Sequence, residues 1–331
     1  MNQPPPVSPT AEFKDRYGGL IGFGILVILI GCVCALFVPL MFLGQAMSAK
    51  ATGGVTDYRM IIPAVVMYAG LAVAFIWLGI GSILARRWAR ALLLILAWGW
   101  LIMGVVMVGV MAVFLPTIFA QAPPGGQPMP DGVRVVAMVV ALSIVSVMFI
   151  ILPGLLVLFY RSPHVKATCD TRDPVVRWTD ACPLPVLALS IFLVFGMVSM
   201  LPMLFVYHGV MPFFGLLLSG VPGTALILAV IAVWGYCARA TYQLRATGWW
   251  VLLTSFGILM VSSVLTFARV DLIEMYRMMG YPEQQIEQVR RYSSFMVSHF
   301  LLFMSITPLP FLGYLLYVKK YFPRPGRIAA A

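Results

Sequence analysis

The chain has 331 residues, 62% of them hydrophobic and only 10% charged, with a formal net charge of +11. A water-soluble domain usually carries about a quarter charged residues, so this composition excludes an ordinary soluble globule. Several apolar runs exceed the roughly 18 residues that take a helix across a bilayer, and they lack the period-two alternation of barrel strands.

The opening "MNQPPPVSPTAEFKDRYGG" is polar and proline-rich. It lacks the basic-then-apolar order of a signal peptide, so residues 1–18 are expected to be a disordered cytoplasmic tail. Eight helices follow, over 19–44, 61–84, 91–119, 135–160, 185–207, 212–236, 248–268 and 294–318. Lipid offers the backbone no hydrogen-bond partner, which makes helices the spanning solution. The expected class is all-α integral membrane. Residues 19–160 would form a first four-span repeat and 185–318 a second. A cytoplasmic linker (161–184) joins them, and a cytoplasmic tail (319–331) ends the chain.

Loop charge sets the direction. With the N-terminus inside, the cytoplasmic side holds fifteen basic residues against five acids, and the outer side seven against six. All eight tryptophans also fall toward the proposed cytoplasmic side. Both termini are then cytoplasmic, which requires an even number of spans. In "SILARRWARALLLI" (82–95), Arg86, Arg87 and Arg90 are expected to hold a short turn against anionic lipid, with Trp88 at the headgroup level. Positive-inside loops account for the basic balance, so no nucleic-acid partner is expected; membrane lipids and a membrane-protein partner are.

The turn recurs as "GYCARATYQLRATGWW", where aligning Gly81 with Gly235 brings Arg90 onto Arg245 after one insertion. "VPLMFLG" (38–44) resembles "LPMLFVYHG" (201–209), and "LPGLLVLFYR" (152–161) resembles "LPFLGYLLYV" (309–318). The three matches, in chain order of the halves, are offset by 163, 154 and 157 residues. With four spans per half, the two halves point the same way, giving a bundle of two parallel four-helix repeats rather than an inverted pair. Gly18, Gly22, Gly70, Gly79, Gly81, Gly104 and Gly109 are expected to let helices approach closely. Lysine is scarce beside arginine and asparagine occurs only at Asn2, a composition that points to a high-GC bacterial source. The stretch from Gly79 to Arg90 is similar to GxG…RRWAR turns of uncharacterised bacterial inner-membrane proteins. That resemblance implies a multi-pass inner-membrane location and no activity.

Chemistry-bearing residues are few. The acids lie in tails and loops, which argues against a proton-coupled pump. No catalytic constellation is found. In the linker, His164, Cys169 and Cys182 are weak metal candidates, because H-x4-C-x12-C lacks a tight ligand pair. On the outer side His208 and His299 are a second weak pair, for copper or haem. No cofactor is assigned. The loop "VDLIEMYRMMGYPEQQIEQVRRYS" (270–293) is expected to be an outer helical hairpin, with Gly280 ending one helix and Pro282 starting the next. Tyr276, Tyr281, Glu287 and Arg291 are its contact candidates, Glu287 pairing with Arg291.

Three function classes follow: a non-enzymatic scaffold or accessory subunit; a permeation path for a neutral or lipid-like solute; and a metal- or haem-binding redox protein. The first leads, since no acid, base or nucleophile converges.

Overall fold

The computed structural model describes residues 14–52, 58, 61–120, 130–283, 285–287, 289–290 and 307–322. Its helices are α1 (Tyr17–Thr52), α2 (Ile62–Ile83), α3 (Arg87–Ala120), α4 (Asp131–Ser146), α5 (Leu152–Arg161), α6 (Pro163–Arg172), α7 (Leu184–Phe205), α8 (Gly220–Tyr242), α9 (Ala246–Phe267), α10 (Leu272–Met278) and α11 (Leu309–Val318). Among the described residues seven segments are long and apolar enough to cross a membrane: α1, α2, α3, α4 continued through α5, α7, α8 and α9. The chain is therefore a polytopic α-helical membrane protein. Large side chains such as Leu36, Val73 and Leu158 are exposed along these helices, as a lipid solvent requires. The eighth expected span lies largely outside the described residues; its described end is α11.

The chain forms two compact units, residues 1–36 with 69–178 and residues 37–68 with 179–331. In the first unit α1 and α2 meet through glycines. A Cβ on Gly79 would stand 2.7 Å from the Gly24 carbonyl, and one on Gly24 would stand 2.9 Å from the Gly79 carbonyl. Ile83 and Ile28 flank this contact, and Gly31 faces Ile76 and the Ala72 carbonyl. The seven-residue spacings of Gly24 and Gly31 and of Ala72 and Gly79 keep one face of each helix in register. Gly79, Gly81 and Gly104 make close approaches, whereas Gly18, Gly22, Gly70 and Gly109 face open space. Total glycine content did not identify Gly24 and Gly31, because closeness depends on which face meets a neighbour.

Proline shapes the fourth crossing. Pro153 has no N–H to give the Phe149 carbonyl four residues earlier. The helix widens into a π turn over Val147–Ile151, and the Leu152 N–H donates to the Val147 carbonyl instead. The Phe149 carbonyl turns toward Gly104 of α3, where a Cβ would collide with it.

In the second unit the Ser190 hydroxyl of α7 donates to the Ala238 carbonyl of α8 at 2.7 Å. Trp234 lays its ring against Gly196, where any side chain would collide. Trp249 of α9 donates from Nε1 to the Leu315 carbonyl of α11 at 2.8 Å, and the Tyr314 hydroxyl of α11 donates to the Pro185 carbonyl of α7 at 2.6 Å.

The sixth crossing departs from the expected 212–236. Met211–Phe213 (β1) pairs antiparallel with Leu216–Leu218 (β2), and the helix begins only at Gly220. Phe214 and Gly215 have φ of 44° and 90°, the double positive φ of a tight primed turn. The turn is held from α9: the Phe214 N–H donates to Ser262 Oγ and the Gly215 N–H to Thr266 Oγ1, each at 2.9 Å. Both hydroxyl residues are fully buried. The segment is apolar enough to read as helix, but Pro222 and the positive φ of Gly220 move the start to its far side.

Candidate functional site

The arginine-rich turn after α2 is an ordered cap on the first unit. It is built against α6 and the residues that follow it. Asp173, only 1% exposed, accepts from the Arg87 backbone N–H at 3.3 Å. It also faces Arg86 Nη1 at 3.5 Å and Arg177 Nε at 3.7 Å. Two of these contacts are hydrogen bonds, from the Arg86 guanidinium and the Arg87 N–H, and the third is a longer ion pair. Asp170 pairs with Arg87 at 3.1 Å.

The N-terminal end of α1 joins the same cap. Arg172 pairs with Asp15 at 3.1 Å and lies over the Tyr17 ring at 3.8 Å. Hydrogen bonding to the Arg172 guanidinium, then to the Tyr17 N–H, holds the Asp15 carboxyl below the usual carboxylate range. The Arg16 N–H donates to Thr168 Oγ1 at 3.1 Å, and the Lys14 N–H to His164 Nδ1 at 3.4 Å. Trp88 stacks on Trp77 with ring centroids 4.3 Å apart. The linker residues Val165, Thr168, Cys169 and Asp173 are buried. The missed residue is Asp173. Its signal was an acid preceding a proline, with a second acid at Asp170, in the linker between a cationic turn and a second run of arginines.

The turns after α2 and α8 are built alike. Ala85 donates to the Ser82 carbonyl and Arg86 to the Gly81 carbonyl; Leu244 donates to Thr241 and Arg245 to Ala240. Ala85 and Leu244 have φ of 51° and 57°. Both turns are Schellman caps with a non-glycine residue in the left-handed position. Subtracting 85 from 244 gives a spacing of 159, which pairs Arg245 with Arg86 rather than with Arg90. The close contact beneath each cap follows the same spacing with the partners exchanged: Gly81 meets Ala89, and Ala240 meets Gly248.

At the far end of α7, His208 and Gly209 take positive φ in succession, at 56° and 66°. This sharp bend brings Tyr207 and His208 to the loop after α9. Asp271 caps α10 by accepting from the Ile273 N–H at 3.0 Å, and α10 ends before Gly280, whose φ is +79°. A Cβ on Gly280 would stand 2.9 Å from His208 Cε1. Tyr281 stacks on Tyr207 at 5.9 Å and meets Tyr276 edge-on at 5.0 Å. Burial first, and then the hydrogen bond with Tyr207, push the Tyr281 hydroxyl above its ordinary range. The structure thus gathers His208, Tyr276 and Tyr281 into one cluster.

Glu287 stands 3.9 Å from Arg290; Arg291 and His299 lie outside the described residues. Among the described residues no three His, Cys, Asp or Glu side chains gather as a metal-holding group. His164 accepts from the Lys14 N–H. Burial pushes the Cys169 thiol up to about 11 and raises that of Cys182 as well. Arg245 is exposed at the start of α9. The chain matches no protein-family profile, no curated protein and no solved structure.

Proposed function

We propose that this polytopic membrane protein is a non-enzymatic scaffold or accessory subunit of a bacterial inner membrane. It has eight spans arranged as two parallel four-span repeats and both termini in the cytoplasm. One observation carries the reading: buried polar side chains on three of the helices act as cross-links. Ser82, Ser190 and Trp249 each donate to a carbonyl of a neighbouring helix, while Ser262 and Thr266 hold a turn. Groups committed in this way brace a bundle and are not free to act on a substrate.

The shared 159-residue geometry of the two caps supports the repeat. The basic excess around Arg86, Arg87, Arg90 and Arg245 supports a cytoplasmic location for those turns. The Tyr276–Tyr281 cluster and Glu287, at the other end, are the contact surface offered to a membrane-protein partner.

Native mass spectrometry of the gently solubilised chain tests the function. A stoichiometric protein partner, lost on Tyr276→Ala with Tyr281→Ala, is expected. A chain that carries only lipid would remove the scaffold reading. A reporter fused after Ala331 is expected in the cytoplasm, and periplasmic activity would reverse the topology.

A further inference from the structure

An apolar, partly open cavity of about 240 Å³ lies between α7, α8, α9 and α11 of the second unit. Phe192, Trp234, Leu252, Phe256 and Phe311 line it. Phe311 packs on Phe192 at 5.1 Å and on Phe256 at 4.7 Å, so three of the cavity's aromatic walls are in contact. An apolar cavity of this size does not retain water, and Phe192, half-exposed, opens it to the lipid side.

Two lysines stand at the end of the same helix. Lys319 lies over the Trp249 and Trp250 rings, at 4.8 and 5.0 Å, and Lys320 lies over the Tyr317 ring at 4.0 Å. Among the described residues neither forms an ion pair with a carboxylate, and Lys320 is held by hydrogen bonds with Tyr317 and Tyr321. Eight residues separate Phe311 from Lys319, about 12 Å at the helical rise per residue. That is most of the roughly 15 Å half-thickness of a bilayer's hydrocarbon. Cationic and aromatic groups thus sit at headgroup depth, and a greasy cavity sits below them at acyl-chain depth.

We infer that the second unit binds one anionic phospholipid, its phosphate at Lys319 and Lys320 and one acyl chain in the cavity lined by Phe192, Phe256 and Phe311. The charge of the lysines selects the headgroup, since each cation near the surface favours an anionic lipid about fivefold. The aromatic walls take the chain by dispersion and exclude polar solutes. This goes beyond the scaffold reading and stands without it.

The test uses the full chain in phosphatidylcholine vesicles doped with a phospholipid brominated in mid-chain, which quenches a nearby tryptophan. Brominated phosphatidylglycerol is expected to quench the Trp234 signal at about 5- to 30-fold lower mole fraction than brominated phosphatidylcholine. Trp234→Phe is expected to abolish that saturable component. Phe256→Trp, which adds a reporter to the same cavity, is expected to enlarge it. Lys319→Gln with Lys320→Gln, both on the surface, is expected to bring the two lipids together. Equal quenching by both lipids in the unaltered chain overturns the assignment. So does a preference that survives the double substitution, which would belong to the net charge of the whole protein. Quenching that neither tryptophan substitution changes would place the chain elsewhere and overturn it too.

Discussion

The Ser82 hydroxyl lies 2.6 Å from the Tyr160 hydroxyl and 3.0 Å from the Leu20 carbonyl. Ser82 has one proton and spends it on the carbonyl, so Tyr160 donates to Ser82. One hydrogen-bond chain therefore joins the ends of α1, α2 and α5 in the first unit, and all three side chains are fully buried. Tyr160→Phe should cost about 1 kcal/mol, the net worth of one such bond. Ser82→Ala should cost somewhat more, because it leaves both the Tyr160 hydroxyl and the Leu20 carbonyl without this partner. Reversible unfolding in mixed micelles measures both; two neutral substitutions would mean the chain contributes nothing to stability.

Asp173 and Arg86 differ in exposure, and the difference sets their sensitivity. The carboxylate is 1% exposed and the guanidinium 41%. Asp173→Ala leaves the Arg87 N–H without its acceptor and removes the shared partner of Arg86 and Arg177, and should destabilise the first unit by about 2 kcal/mol. Arg86→Ala removes only a half-exposed partner, leaves Arg177 and the Arg87 N–H in place, and should cost under about 1 kcal/mol. Equal losses in the same unfolding assay would contradict the buried-acid account.

Gly104→Ala should be severe for its size. Its Cβ would collide with the Phe149 carbonyl, which is backbone and is already displaced by Pro153. A cost of about 2 kcal/mol or more is expected, at the upper part of the overpacking range. Gly109→Ala, with open space around it, is the control on the same helix and should be neutral or slightly stabilising. Similar melting behaviour for the two would show that α3 and the π turn do not approach this closely.

The Cys169 thiol gives a pH readout outside the membrane spans. Burial favours its neutral form and moves it from an ordinary value near 9 to about 11. The contribution to stability is present below pH 9. It falls as pH rises through the window from 9 to 11, because the unfolded chain releases its proton first. In a variant keeping Cys169 as its one cysteine, labelling by a water-soluble maleimide should accelerate up to about pH 11. A plateau near pH 9 would indicate an accessible, unshifted thiol.

Spanning helices were legible in the sequence because hydropathy over about 20 residues is a property of the segment alone. The expected 61–84 and 248–268 lie within two residues of Ile62–Ile83 and Ala246–Phe267. The positions of Gly280 and Pro282 likewise announced the break that ends α10. The cationic turns were visible as charge, but their partner was not, since the acid that organises one of them is more than 80 residues away in sequence.

Segment-level properties, namely which stretches prefer lipid and where charge interrupts them, were thus determined by sequence alone. Tertiary structure decided which glycines are contacts, that the 211–218 run folds as a hairpin, and that the two caps match at a spacing of 159. Each of these depends on a neighbour. Gly24 matters because Gly79 faces it, and Phe214 tolerates a left-handed backbone because Ser262 and Thr266 wait beneath its turn. Ala85 and Leu244 occupy positions that local preference gives to glycine, so the motif that relates the two caps carries no sequence mark. A hydropathy pattern records where each residue prefers to be; only the packed neighbour sets the backbone it must adopt there.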